Sequence, residues 1–239
     1  MLDGFGFEWD GIVDFQSRRT DFYEAALARL RHANQCFACR CSRAQVAAQS
    51  ADPAAEPVYP GTCREDRTAA EAPHALRYRI ATEQPLVTFE DALQGTICQD
   101  CRREAGDFVV RRRDGQYAYH LAVVVDDELQ GVTEVVRGAD LLSSTPRQIL
   151  LQRSLGFRTP AYAHLPLLTE GDGRKLAKSR RSVPLEAARA VNQLWDVLTW
   201  LKQAPPDALR RAGTAELWRW ALENWRPARI AGLREVRLP

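Results

Sequence analysis

Apolar residues recur at helical spacing over residues 20–33, where Phe22, Ala25, Ala26, Leu27 and Leu30 share a face, and predict a helix leading directly into a group of cysteines. Residues 42–47 suit a short second helix, and the Ala- and Pro-containing stretch 50–57 reads as a loop. Strands are predicted over 75–80, 87–90 and 108–112. Turns are predicted at Gln94-Gly95 and at Arg113-Asp114-Gly115-Gln116, the latter with a hairpin-type Asp-Gly. Two further runs, 121–125 and 132–136, are rich in β-branched residues and bounded by polar ones, the pattern of strands buried in a sheet. On this reading Asp126-Asp127 closes the first strand, Arg137-Gly138-Ala139-Asp140 closes the second, and a helix opens at Ser144. In open α/β sheets ligands lie outside the carboxyl ends of the strands, so these polar residues stand where a substrate would be held. Solvation of two strand ends is the alternative. The pattern turns helical again over 185–202 and, past Pro205-Pro206, over 207–224, with Trp218, Ala221, Leu222 and Trp225 on related faces. Five of the six tryptophans lie in this tail, a stripe expected to pack against the rest of the chain.

Composition narrows the class. A chain of 239 residues that is 45% hydrophobic can bury a sizeable core, as one large domain or two small ones. The net charge of +2 carries little evidence for nucleic acid; only the arginine runs at 111–113 and 180–181 point that way, and solvated faces account for such runs equally. No apolar run approaches the ~18 residues of a membrane helix, and the first residues lack the order of a secretion signal, so a cytoplasmic protein with no membrane contact is expected. Six cysteines, four of them between Cys36 and Cys63, favour metal binding over a disulfide framework. Spacing alone pairs Cys36-x2-Cys39 with Cys98-x2-Cys101 in a four-thiolate site. It also offers Cys39-x-Cys41 followed by Tyr59-x3-Cys63.

The order of several segments carries a resemblance. A run ending in Asp126-Asp127, an Arg137-Gly-Ala-Asp140 turn, Tyr162-Ala-His-Leu-Pro166 and Gly173-Arg-Lys-Leu-Ala-Lys-Ser179 follow one another as in the class I glutamyl- and glutaminyl-tRNA synthetases. The match spans about 108–179. The Cys-x-Cys and Tyr-x3-Cys features resemble a compact branch of that family, the glutamyl-queuosine tRNA(Asp) synthetases. The implied fold is α/β: an incomplete Rossmann-like class I synthetase catalytic domain over 1–182, with a zinc-binding and connecting insert at about 36–107, and a short helical C-terminal tail over 183–239, too short for an anticodon-binding domain.

The resemblance also implies a chemistry. ATP, with Mg2+, activates glutamate, and the glutamate passes to the queuosine base of tRNA(Asp). Lys178 is the implied catalytic residue, meeting the ATP phosphates together with Lys175; Ala177 stands where the family commonly has serine. Tyr119 and Arg137 are the implied glutamate contacts, the guanidinium gripping a carboxylate in two-pronged geometry. Asp126 and Asp127 are expected to order the pocket rather than act as bases, and His120 is left out of the site. Cys39, Cys41, Tyr59 and Cys63 are the implied ligands of one structural zinc, with no position open for a reacting water. A phenolate ligand needs the metal's charge, because an unperturbed tyrosine ionises near ~10.

The family's His-Ile-Gly-His-like motif is missing: none of His32, His74, His120 and His164 lies in such a context. The first eleven residues resemble a helix end and turn well after that motif. The chain is therefore expected to begin inside the domain, to expose a strand edge and an apolar face, and to be inactive in ATP–pyrophosphate exchange unless an upstream segment completes it. A complete protein is expected to be a monomer, and the shorter chain to associate. Two alternatives stay open: a truncated glutamyl-tRNA synthetase charging the tRNA 3′ end, and a non-catalytic zinc-stabilised tRNA-binding remnant.

Overall fold

The computed structural model describes residues 2–49, 57–83, 85–170 and 185–238. Helix α1 (Thr20–His32) forms where its periodicity predicts and buries Tyr23, Ala26, Leu27 and Leu30. Strand β1 (Cys36–Cys39), which the cysteines had masked, follows it. Helix α2 (Arg43–Ala47) is short but well started: Ser42 Oγ accepts the Gln45 N–H, and the Gln45 side chain accepts the Ser42 N–H. Strand β2 (Ala75–Tyr78) pairs antiparallel with β1. Strands β3 (Leu86–Asp91) and β4 (Gly95–Asp100) form a hairpin through the expected turn at Gln94-Gly95, and a single helical turn, α3 (Cys101–Glu104), leads to β5 (Val109–Arg111) against β2.

The run 121–125 is not a strand. It lies in helix α4 (Tyr119–Leu129), and Asp126-Asp127 sits in that helix rather than at a strand end. Leu121, Ala122, Val124 and Val125 are all buried, so the segment is apolar on nearly every side, a pattern that periodicity cannot separate from a buried strand. The second run holds, as strand β6 (Glu134–Gly138). A 3-10 turn (Ala139–Ser144) feeds α5 (Thr145–Leu155), which Gly156 terminates at φ 65°. Strand β7 (Ala161–Leu165) lies between β3 and β6, parallel to both, so the main sheet runs β4-β3-β7-β6 with β6 at its edge. Val136 on β6 is 61% exposed. Helices α1, α4 and α5 and the strands share one core, in which Leu27, Leu30, Leu121 and Leu151 are fully enclosed.

The tail is helical, with two breaks the pattern did not show. Helix α6 (Ala190–Trp200) begins after a 3-10 turn at Ala187–Arg189; residues 207–224 divide into a 3-10 turn (Asp207–Arg211) and α7 (Thr214–Asn224), separated by extended Gly213. Leu194, Trp195, Leu198, Leu217 and Ala221 form a separate apolar cluster with Phe5, and the Trp218 indole donates to the Phe5 carbonyl (2.8 Å). Leu222, assigned to the same face, points outward at 80% exposure. Strand β8 (Leu167–Thr169) pairs parallel with the chain's last strand, β9 (Glu235–Arg237), which ties the tail back beside the main sheet.

Candidate functional site

Two constellations stand out, with a cationic cleft beside the first. The first is the cysteine cluster. Strand β1 presents Cys39, the capped start of α2 fixes Cys41, and a loop brings Tyr59 and Cys63 over them; the three cysteine sulfurs lie within 4.8 Å of one another. Cys41 and Cys63 Sγ are 3.6 Å apart, and Cys39 Sγ is 3.5 Å from the Tyr59 hydroxyl. Zn–S bonds of about 2.3 Å and a Zn–O bond of about 2.0 Å at tetrahedral angles place two sulfurs about 3.8 Å apart and a sulfur and an oxygen about 3.5 Å apart. The four side chains therefore fit a zinc ion. The alternative set does not assemble: Cys98 is exposed on β4 beside Thr88, Cys101 is enclosed in the main core, and Cys36 is half-buried.

The surroundings of this cluster are built for anionic ligands. The Cys63 backbone N–H donates to the Tyr59 hydroxyl oxygen (2.7 Å), Arg77 Nε donates to Cys39 Sγ (3.2 Å), and the Arg77 guanidinium lies 4.0 Å from the Tyr59 ring centre. Burial pushes the Tyr59 hydroxyl up, and its bond to Cys39 adds to the effect, so a phenolate here depends on a bound cation. Burial likewise pushes the Cys41 thiol up to about 11, whereas at Cys63 the cost of burial is outweighed by donors from Arg40, Tyr59 and Cys41 and the thiol is lowered. The loop is held from below. Gly106, at φ +65°, approaches so closely that a Cβ there would lie 2.8 Å from the Tyr59 nitrogen. Arg64 meets both oxygens of buried Asp107 at 2.9 Å and donates to the Ile80 carbonyl. Sequence reasoning named the four side chains that cluster here but missed Arg77 and Asp107, which only the pairing of β2 with β1 and β5 brings near.

The second constellation surrounds Arg137, near the end of β6. Its Nε donates to His164 Nε2 (3.1 Å) and its Nη2 to Thr145 Oγ1 and Gln148 Oε1 (2.8 Å each), while Tyr162 lies beneath it at 5.5 Å. Among the described residues these contacts engage Nε and Nη2 but not Nη1, whose two N–H groups could meet an anion. A Cβ at neighbouring Gly138 would fall 2.5 Å from Asp140 Oδ1, so any larger residue there would displace the Asp140 side chain. Tyr119 opens α4 with its ring 46% exposed, in edge contact with His120, and acts electrostatically on Tyr162. Tyr119 and Arg137 thus lie about Tyr162 without bonding to each other. Asp127 feels Arg137, though burial dominates and raises its carboxyl. Asp126 faces away from this group, accepting from Gln16, Arg19 and Tyr23, and fastens α1 to α4. Lys175 and Lys178, with Ala177, fall outside the described residues.

Beside the cysteine cluster lies a cleft of ≈ 630 Å³ whose lining runs from Cys41 to Tyr119 and His120 and includes Arg43, Arg77, Arg112 and Arg113 but no carboxylate residue. Four guanidinium groups and two aromatic rings in one groove suit a polyanion with flat rings.

Comparison with known proteins accords with this arrangement. Residues 1–214 match the family described as tRNA synthetases class I (E and Q), catalytic domain. The glutamyl-Q tRNA(Asp) synthetase of Aromatoleum aromaticum is 47% identical over 224 residues, covering 94% of this chain and 70% of that one. The protein of the same name from Pseudomonas aeruginosa is 45% identical over 240 residues, covering 99% and 79%. Among solved structures, a glutamate tRNA ligase from Elizabethkingia meningosepticum has a TM-score of 0.72 at 19% identity; the fold is shared across 100% of this chain, which spans 55% of that one. The glutamate-tRNA synthetase of Elizabethkingia anophelis gives a TM-score of 0.73, also at 19% identity. With a family match over residues 1–214 and relatives at 45–47% identity, this chain belongs to the catalytic-domain family of the class I glutamyl- and glutaminyl-tRNA synthetases.

Proposed function

We propose that the chain activates glutamate with ATP and transfers it to the queuosine base of tRNA(Asp), acting in the cytoplasm. The observation that carries this reading is the Arg137 guanidinium held by His164, Thr145 and Gln148, taken with an arginine-lined cleft that runs from Cys41 of the cysteine cluster to Tyr119. Relatives at 45–47% identity bear the name glutamyl-Q tRNA(Asp) synthetase, which supports the choice of acceptor. No helix among the described residues is long and apolar enough to cross a membrane.

The reaction has two steps: the glutamate α-carboxylate attacks the ATP α-phosphate and expels pyrophosphate, and a nucleic-acid hydroxyl then attacks the acyl carbon of the mixed anhydride, losing its proton and expelling AMP. Neither needs a covalent enzyme intermediate, so catalysis consists of positioning and charge stabilisation. Arg137 presents Nη1 to the glutamate side-chain carboxylate, and the Tyr119 hydroxyl supplies a further hydrogen bond. Lys178, with Lys175, neutralises the triphosphate, to which Mg2+ adds charge when bound. Zinc on Cys39, Cys41, Tyr59 and Cys63 is structural, since all four positions of the tetrahedron are taken by protein. It holds the wall of the cleft on which Arg43 and Arg77 stand. The arginines and the rings of Tyr117 and Tyr119 receive the phosphates and bases of the tRNA loop. The test is labelled-glutamate incorporation into tRNA(Asp) bearing or lacking queuosine and into tRNA(Glu). Incorporation confined to the first is expected; charging of tRNA(Glu) overturns the proposal.

A further inference from the structure

A buried polar chain beneath Arg137 has no part in the scheme above. Asp91 ends β3 and His164 lies on β7, at 3% and 0% exposure. Asp91 Oδ2 is 2.5 Å from His164 Nδ1, while Asp91 Oδ1 accepts backbone N–H bonds from Leu93 (3.0 Å), Gln94 (2.9 Å) and His164 (3.1 Å). On the far side of the ring, Nε2 faces Arg137 Nε (3.1 Å) and Thr145 Oγ1 (3.1 Å). Arginine only donates, so Nε2 must carry its lone pair and the proton must sit on Nδ1, pointing at the carboxylate. The ring is neutral: burial lowers the His164 pKa, and the charge of Arg137 opposes protonation against the pull of Asp91 and Asp140.

Such a chain is not needed for packing, since apolar residues of similar size fill a core at no greater cost than buried charged groups. Its one outlet towards the surface is the guanidinium of Arg137. We propose that Asp91 is a positioning residue for glutamate binding, acting on Arg137 by fixing the tautomer of His164. Asp91 holds the proton on Nδ1, Nε2 accepts from Arg137 Nε, and Thr145 and Gln148 take Nη2, so the planar guanidinium is held by three acceptors and its plane is fixed. This rests on the reading of Arg137 as the carboxylate contact.

Asp91→Asn separates this role from a packing role. The three backbone N–H groups at Oδ1 need an acceptor, so the asparagine carbonyl takes that place and its NH2 group faces His164 Nδ1. Nδ1 must then accept, the proton moves to Nε2, and two donors confront each other at Arg137. Nitrogen-15 NMR of the full chain is expected to show His164 as the Nδ1–H tautomer in wild type and as Nε2–H in the variant. Glutamate Kd by titration calorimetry is expected to rise about tenfold or more, the scale of a lost bond to a charged group. His164→Asn is the second variant: its amide still donates to Asp91 but offers Arg137 no acceptor, and the same rise in Kd is expected. A wild-type Nε2–H tautomer, or an unchanged glutamate Kd in both variants, overturns the proposal. If Arg137→Ala leaves glutamate binding unchanged, the glutamate reading itself fails and takes the proposal with it, while the tautomer result stands apart.

Discussion

Removing the Tyr59 hydroxyl gives the sharpest test of the metal centre, because the substitution takes away one oxygen and little else. In Tyr59→Phe the 3.5 Å edge from Cys39 Sγ to the hydroxyl disappears, and the buried Cys63 N–H loses its 2.7 Å acceptor. An unmet buried donor costs about 1–3 kcal/mol, and exchange of a protein ligand for water acts in the same direction, so zinc should bind roughly tenfold to a hundredfold more weakly. Three thiolates remain, so the metal should survive gentle purification and be lost to a competing chelator. Cys63→Ser should lose more, since a thiolate is removed from the 3.6 Å pair with Cys41. Cys98→Ser serves as the control: that thiol is exposed and sits beside Thr88, away from the cluster. The assay is zinc per chain by plasma mass spectrometry, with and without chelator competition. Loss of zinc from Cys98→Ser together with full retention in Tyr59→Phe refutes the assignment and restores the four-thiolate site.

Three further outcomes follow from the same structure. Gly106→Ala places a Cβ 2.8 Å from the Tyr59 nitrogen at a residue with φ +65°, and should lower stability by about 1–3 kcal/mol in urea unfolding while loosening zinc; an unchanged midpoint contradicts it. Asp107→Ala strands the partly buried Arg64 and should cost about 3–5 kcal/mol by the same measurement, whereas a loss under about 1 kcal/mol places the pair among ordinary surface bridges. The folded-state pKa of His164 lies below the ordinary histidine value of about 6.5, so the unfolded chain protonates first; the stabilisation is complete above that value and is lost as pH falls from about 6.5 through the lower folded pKa. Asp91 is also lowered, as bonds from His164 and the backbone outweigh the effect of burial, and adds a second loss below 3.8. Melting temperature should therefore fall between about pH 7 and pH 5, and less so in His164→Asn, which an acid-stable or steeper melting profile contradicts.

The cysteine cluster was legible only in part: spacing alone also offered Cys36-x2-Cys39 with Cys98-x2-Cys101, and the set Cys39, Cys41, Tyr59 and Cys63 came from the family resemblance, whereas helix α1 was legible because one apolar stripe repeats without interruption. The run at 121–125 misled because helix α4 is enclosed by α1, α5 and the sheet, so burial on several sides removed the alternation that separates the two periods. Asp126 was expected to order the pocket from a strand end; it lies instead in helix α4 and fastens α1 through Gln16, Arg19 and Tyr23, which lie more than a hundred residues away in sequence. The Arg137 pocket was half legible. Arg137 stood out as a cation at a strand end, but the two-pronged grip expected of it is altered by Nε and Nη2 contacts made through the parallel pairing of β6 with β7. His164 carried a signal, as the histidine within Tyr162-Ala-His-Leu-Pro166, while Asp91 had none until the β3–β4 hairpin was seen to close beneath it.

The central claim concerns where glutamate ends. Queuosine-bearing tRNA(Asp) would be incubated with the chain, ATP, Mg2+ and labelled glutamate, then digested to nucleosides and resolved by mass spectrometry. The account predicts label on the queuosine nucleoside and none on the 3′-terminal adenosine. Label on the 3′-terminal adenosine, or equal incorporation into tRNA(Asp) that lacks queuosine, contradicts it.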